Sequence, residues 1–489
     1  MENFDSRKYL LTCKLILLKA THELFPEYCV TLRNSLNNGV YLTVNGKEII
    51  LEDESRAIKE RMEEIIKKDL KITKTHFHSE RISKENLKNV REDLVELLET
   101  TGIVSFFIYE LDGYKSYFIE ELYENTAYVN LFDLYSYDEG MILKTPKDID
   151  GVIQLAPLID DKKLAKVYKE SSKWNEIMKV SCLGSLNRIN LNGDIVELIR
   201  VNEALHSKKI AKIAEKIVDD RDIKIVTIAG PSSSGKTTFS NRLNLQLLAS
   251  ELKPVVISLD DYYIGRANIP MDKDGKKDFE SVKALDLELL NSNLKGLLNG
   301  EEVEIPKYNF KSGTREEKGK FMQINGKAVI ILEGIHGLNE ALVEGIPARK
   351  IFKIYISCLT QLNIDSHNRI KTSVVRKIRR VVRDSISRNF DAEETLEMWD
   401  RVRKGETKNI FPYQENADVI FDTSLAYEIG VLKPYVEMEL IKIKMDSAHY
   451  REARKLLRLL SYFTPIPDKY VPDESILKEF VGGSHFYNY

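Results

Sequence analysis

The sequence predicts an α/β protein: a doubly wound, mostly parallel sheet, preceded by an α+β region and followed by a helical tail. Three observations carry this. From residue 221, short apolar runs alternate with helical stretches (KIVTIAG, PVVISLD, AVIILEG and KIFKIYIS), which is the pattern of parallel strands covered by helices on both faces. Before that, helical stretches are mixed with the strand-like runs GVYLTV at 39–44 and IVSFFIYE at 103–110. After about residue 430 the pattern is helical to the end.

In chain order, residues 8–25 form an amphipathic helix, with Leu11, Leu15, Leu18 and Leu24 near 3–4 spacing. Residues 54–69 form a charged helix with Ile58, Met62, Ile65 and Ile66 inward. This α+β region ends near 155. Residues 156–220 are helical and polar, and Leu205, Ile210, Ile213 and Ile217 make one stripe. The expected divisions are 1–155, a helical connector at 156–220, the parallel-sheet domain at 221–430 and a helical segment at 431–489. The ending SILKEFVGGSHF reads as a short helix stopped by glycine.

Composition narrows the function. With 489 residues, 43% hydrophobic and 30% charged, the chain is neither disordered nor low-complexity. Its net charge of −3 lacks the basic excess of a protein built to hold nucleic acid. The cysteines Cys13, Cys29, Cys182 and Cys358 are scattered, without CxxC, which points to reduced thiols. Glu2, Asp5 and Lys14 make the start unlike a signal peptide, and no stretch reaches about 18 apolar residues. The expectation is a soluble, cytoplasmic protein with no membrane partner. His76 and His78 share a strand face, but no third ligand stands near them in sequence, so no metal is assigned there.

The strongest motif is Gly230-Pro-Ser-Ser-Ser-Gly235-Lys236-Thr237, which fits G-x-x-x-x-G-K-[ST] between a strand and a helix. Its small residues let backbone N–H groups curl round a phosphate at a helix N-terminus. The candidate nucleotide-binding residues are Gly230, Ser232, Ser233, Ser234, Gly235, Lys236, Thr237 and Thr238. Lys236 reaches the β/γ-phosphates, and Thr237 ligates Mg²⁺. The fold class is therefore of the P-loop NTPase type, with ATP and Mg²⁺ as expected cofactors. A guanine-reading N-K-x-D or T-K-x-D is absent, which excludes a switch GTPase.

Three further features favour transfer to a small acceptor. Ser258-Leu-Asp260-Asp261-Tyr262-Tyr263 ends a strand, where ligands of doubly wound sheets bind. A carboxylate there acts as base toward an attacking hydroxyl, or else caps a helix. Glu333 ends the strand VIILEG and is placed to hold Mg²⁺ directly or through water. Arg376, Arg379, Arg380 and Arg383 lie largely on one side of a helix, a face suited to closing over a triphosphate as a lid.

With these motifs in this order, residues 221–425 resemble the uridine kinase/phosphoribulokinase family of P-loop kinases. The resemblance implies Asp260 rather than Asp261 as the base. It implies an acceptor-binding role for Glu280 in DFESVKALDLELL, and for Tyr308 in Ile305-Pro306-Lys307-Tyr308-Asn309-Phe310. Tyr263 joins that pocket. In the run from Arg379 to Asp384 it implies that Arg380 faces the acceptor, while Arg383 and Arg388 face phosphates. The late Ala417-Asp418-Val419-Ile420 matches a segment near the family's base-binding loop. Two departures stand on the acceptor side. The family's pyrimidine-contacting His is replaced by Gly313, and its lid R-G-R by Arg388-Asn389-Phe390. His336, just after Glu333, either touches the acceptor or packs at the strand end.

Residues 8–145 resemble the second additional (editing) domain of threonyl-tRNA synthetase, through ATHELFPE, NSLNNGVYLTV, RMEEIIKKDL and FDLYSYDEGMIL. The four polar site groups of that family fall on Leu11, Leu15, Phe118 and Leu122, so neither ester hydrolysis nor zinc is implied. The expected activity is transfer of the γ-phosphoryl of ATP to a hydroxyl of a small acceptor, namely the 5′-hydroxyl of a nucleoside. A second reading, a nucleotide-gated RNA-binding or regulatory protein, draws on the editing-like region and the basic helix. A nucleic-acid partner enters only under that reading, and homo-oligomerisation is left open.

Overall fold

The computed structural model describes residues 4–45, 47, 49–78, 91–149, 151–271, 275, 277–309, 312–360 and 362–486. They fall into two compact units. The first comprises Met1–Asp194, Thr360–Lys371 and Ser461–Thr464, and the second the rest. The stretch 156–220 is thus divided between them. Met1–Asn3, including Glu2 of the chain start, and Phe310 lie outside the described residues.

In the first unit, α1 (Ser6–Leu24) starts at Asp5, whose carboxylate accepts from the Arg7 and Lys8 amides. The leucine spacing predicts a one-sided helix. Instead every residue from Thr12 to Thr21 is buried, and it is Leu24 that is exposed. The helix is enclosed because strands and helices cover it all round. Even Lys19 is buried, paired with Glu23 at 2.6 Å and donating to the Asp112 carbonyl at 3.0 Å.

The unit continues with β1 (Cys29–Leu36), β2 (Gly39–Asn45), α2 (Glu52–Lys67), β3 (Ile72–His78), α3 (Glu92–Glu99), β4 (Ser105–Leu111), β5 (Tyr114–Tyr117), β6 (Asp133–Tyr137) and β7 (Gly140–Lys144). Two antiparallel sheets result, β1-β2-β7-β6 and β3-β4-β5. Period-two alternation in β2 puts Val40, Leu42 and Val44 inward. His76 and His78 are exposed on one face of β3, their rings 4.7 Å apart. Helices α4 (Lys162–Ile177) and α5 (Leu183–Asn192) follow, and α5 ends on Gly193 at φ +92°. A hairpin at 363–369 also belongs to this unit, and its buried Asp365 pairs with Arg91 at 2.7 Å.

The second unit opens with α6 (Ile195–Asp219). Then come β8 (Ile225–Ala229), α7 (Lys236–Ala249), β9 (Lys253–Ser258), α8 (Leu287–Leu298), β10 (Ala328–Glu333), β11 (Ile351–Ser357), α9 (Thr372–Ser387), α10 (Ala392–Asn409) and β12 (Val419–Asp422). The five strands form one parallel sheet in the order β9-β10-β8-β11-β12. The first strand of the domain is thus central, and the chain order reverses beside it, which is where such sheets open a crevice. β8 is buried along its whole length, as a central strand covered on both faces must be. The segment at 417–420 enters edge strand β12, and Asp418 accepts from the Lys353 amide at 2.7 Å.

The pattern predicts helix from about 430 to the end, but only α11 (Glu428–Ile441) and α12 (Tyr450–Leu460) meet that expectation, and beyond them the chain departs from it. It runs irregularly from 461 and makes one helical turn, α13 (Lys478–Val481), stopped at Gly482 with φ +85°. Pro465, Pro467 and Pro472 account for the irregular stretch, since none can continue a helix.

Candidate active site

Sheet topology brings three chain segments to one edge. β8 runs into residues 230–235, β9 into Asp260, and β10 ends on Glu333. In the loop, Ser233 and Gly235 take left-handed φ values of +57° and +85°. A Cβ on Gly230 would lie 2.1 Å from the Ile356 carbonyl oxygen, so only glycine fits. Lys236 begins α7, and its Nζ donates to the Pro231 carbonyl at 3.3 Å. Thr237 is exposed at the cleft, whereas Thr238 is buried. The Ser233 and Ser234 hydroxyls have no hydrogen-bond partner among the described residues. Left-handed turns, a helix start and unused hydroxyls form a donor set that fits a polyphosphate.

Asp260 is open to the cleft yet enclosed by protein, and that enclosure raises its pKa, against the pull of Lys236 and Arg388. It is not a helix cap: Ser258 accepts from its amide at 3.3 Å. Asp261 turns elsewhere and accepts from the Tyr308 amide at 3.3 Å. Burial pushes the Glu333 carboxyl up to about 7, with Lys236 opposing and Asp260 and Glu479 adding. Among the described residues no group of three or more His, Cys, Asp or Glu side chains is arranged to hold a metal. Thr237 and Glu333 fit an ion that takes most of its ligands from phosphate and water.

Glu280, expected in the acceptor pocket, packs under Gly405, whose missing side chain makes room: a Cβ there would lie 2.5 Å from Glu280 Cβ. Burial, then the charge of Glu406, pushes Glu280 up to about 7, with Arg380 and Lys236 opposing. Tyr263 and Tyr308 are buried with ring centres 5.6 Å apart, and the Tyr263 hydroxyl donates to the Phe279 carbonyl at 2.9 Å. His336 is buried, and burial lowers its pKa to about 4, with Asp278 and the Ser281 backbone opposing. Over Gly313 lies the side chain of Arg266, whose amide donates to the Gly313 carbonyl at 2.8 Å. Phe390 is exposed.

The arginines of α9 do not form one lid face. Arg376 and Arg379 are fully buried, because α9 packs against α10, α11 and α13. Arg376 makes a bidentate pair with Glu406 at 2.5 and 2.6 Å, and Arg379 pairs with Glu428 at 2.6 Å. Arg380, Arg383 and Arg388 instead gather on Asp384, at 3.1, 2.8 and 3.8 Å. Arg380, expected to face the acceptor, donates to Ser232 Oγ at 2.9 Å, which ties it to the phosphate loop. Sequence reasoning misses Glu406, which accepts from the Ser232 amide at 3.0 Å, and Thr423, whose hydroxyl donates to the Ser234 carbonyl at 2.6 Å. Neither stands in a motif; only tertiary placement brings them to the loop.

The profile of the phosphoribulokinase/uridine kinase family matches residues 225–429. The uridine kinase of Macrococcus caseolyticus is 31% identical over 214 residues, 43% of this chain and 94% of its own. The chain belongs to the phosphoribulokinase/uridine kinase family. Two other family relatives, the uridine kinases of Tolumonas auensis and Halalkalibacterium halodurans, are 31% and 32% identical. They align over 41% and 40% of this chain and over 86% and 84% of their own lengths. Membership of this uridine kinase family implies ATP-dependent phosphotransferase activity in general terms. No helix among the described residues is long and apolar enough to cross a membrane.

Proposed function

We propose that this chain is an Mg²⁺- and ATP-dependent kinase that transfers the γ-phosphoryl to the 5′-hydroxyl of a nucleoside. One observation carries the reading: the phosphate loop, Asp260 and Glu333 stand together at the carboxyl ends of three adjacent parallel strands. Gly230, Ser232, Ser233, Ser234, Gly235, Thr238 and Lys236 hold the triphosphate. Thr237 and Glu333 hold Mg²⁺, which when bound neutralises charge on the phosphates. Asp260 accepts the hydroxyl proton, and its raised pKa suits that task. Arg383 and Arg388 face the transferring group, and Tyr263, Glu280, Tyr308 and Arg380 shape the acceptor pocket.

The acceptor is tested with a panel of uridine, cytidine, adenosine, guanosine, inosine, thymidine, ribulose 5-phosphate and pantothenate, scored as phosphorylated acceptor. The reading expects one nucleoside to be phosphorylated. Transfer only to a non-nucleoside, or to none, would overturn it. For the first unit we propose an editing-domain origin without hydrolytic chemistry. Leu15, Phe118 and Leu122 lie in one apolar cluster with Leu11 packed against it, a setting that supports no bond-breaking role.

A further inference from the structure

The last described stretch of the chain runs along the back of the phosphate loop. Ser475, Ile476, Leu477 and Phe480 are wholly buried there, and Glu479 nearly so. Two anchors fall on the loop and the first turn of α7, and two on the side chains packed around them. Ile476 lies against Gly235, where a Cβ would come within 2.6 Å of its Cγ2. Glu479 Oε2 accepts from the Thr238 hydroxyl at 2.7 Å. The Phe480 ring lies 5.1 Å from the Arg379 guanidinium. Ser475 donates to Glu203, which also accepts from the Tyr427 hydroxyl at 2.8 Å and meets Arg242 of α7 at 3.4 Å.

Packing alone does not account for Glu479. An apolar side chain of similar volume would fill the place without the desolvation cost of a buried carboxylate, which is several kcal/mol. A carboxylate contributes direction. Its hydrogen bond to Thr238 fixes the first turn of α7, whose amides begin the anion-binding end of that helix. Thr237 and Thr238 then divide the work: one hydroxyl opens to the cleft and its neighbour is clamped from behind.

We infer that segment 475–481 is a working part of the phosphate-donor site, and that Glu479 is a positioning residue acting through Thr238. This rests on the reading that the 230–238 loop binds ATP. The test is calorimetric binding of a non-hydrolysable ATP analogue with Mg²⁺, which needs no acceptor, set beside the thermal midpoint of the free protein. Glu479→Met fills the space but cannot accept the bond. It is expected to weaken analogue binding about tenfold or more, the loss of one charge-assisted hydrogen bond, with the midpoint unchanged or raised. Glu479→Gln keeps an acceptor oxygen and is expected to bind within about threefold of the unaltered protein. Asp468→Ala, outside that segment, removes a contact to Lys478 and is expected to leave binding unchanged. Analogue binding within about twofold in Glu479→Met would overturn the inference. So would a loss shared equally by Glu479→Gln and tracking a fall in midpoint. Failure of the unaltered protein to bind the analogue would overturn the donor-site reading and this inference with it, and shows before any substitution is made.

Discussion

The two halves of α9 carry the same residue type to opposite ends. In the first half, Arg376 and Arg379 are sealed from solvent, each matched to a buried carboxylate, Glu406 and Glu428. From Arg380 onward, three guanidinium groups share the single carboxylate of Asp384. Pairing with these buried carboxylates, Glu406 being shared with Arg403 at 2.9 Å, neutralises and fixes. Three-to-one pairing leaves positive charge directed at a cleft that already holds Lys236. An arginine's role therefore depends on how many carboxylates the tertiary structure supplies, which a sequence run cannot show.

The cleft chemistry gives the largest expected effect. Asp260→Asn should lower turnover by up to roughly 10⁴-fold while ATP affinity stays within about threefold, measured by steady-state kinetics and equilibrium binding. Next is the sealed half of α9. Arg376→Ala should destabilise the fold by about 3 kcal/mol, read by denaturant unfolding, because the buried Glu406 would lose its bidentate partner and keep only Arg403 and the Ser232 amide. Arg388→Ala should do the reverse, lowering kcat roughly 10²-fold while unfolding changes by less than about 0.5 kcal/mol. Equal behaviour of the two arginine variants would break the contrast.

The smallest effect concerns pH. Glu280 has a folded pKa of about 7 against an ordinary 4.5, so the folded state binds the proton more tightly. Its contribution to stability is complete below about 4.5 and is lost as pH rises through about 7. Glu280→Gln should flatten this part of the stability–pH curve, and the raised Glu333 carries part of what is left.

Much of the parallel-sheet unit was legible in the sequence, because its signals are local. Buried runs mark the strands, and the loop must be glycine at Gly230 and left-handed at Gly235. Asp260 was legible as a strand-end acid, but its separation from Asp261 as a group facing the cleft needed the hydrogen bonds at Ser258 and Tyr308. The lid reading of Arg376 and Arg379 failed because helical spacing reports a face and not what packs on it. α1 misled for the same reason: its leucine spacing predicts one inward face, yet every residue from Thr12 to Thr21 is buried. Glu406, Thr423 and Glu479 reach the loop from 174, 189 and 241 residues away, distances over which no local pattern speaks.

The most direct test of the central claim is transfer of labelled γ-phosphate from ATP to each nucleoside of the panel, separated chromatographically as the 5′-monophosphate, in the unaltered protein and in Asp260→Asn. The account predicts labelled product from the first and its near-complete loss in the second, with ATP still bound by both. Undiminished product from Asp260→Asn would contradict it.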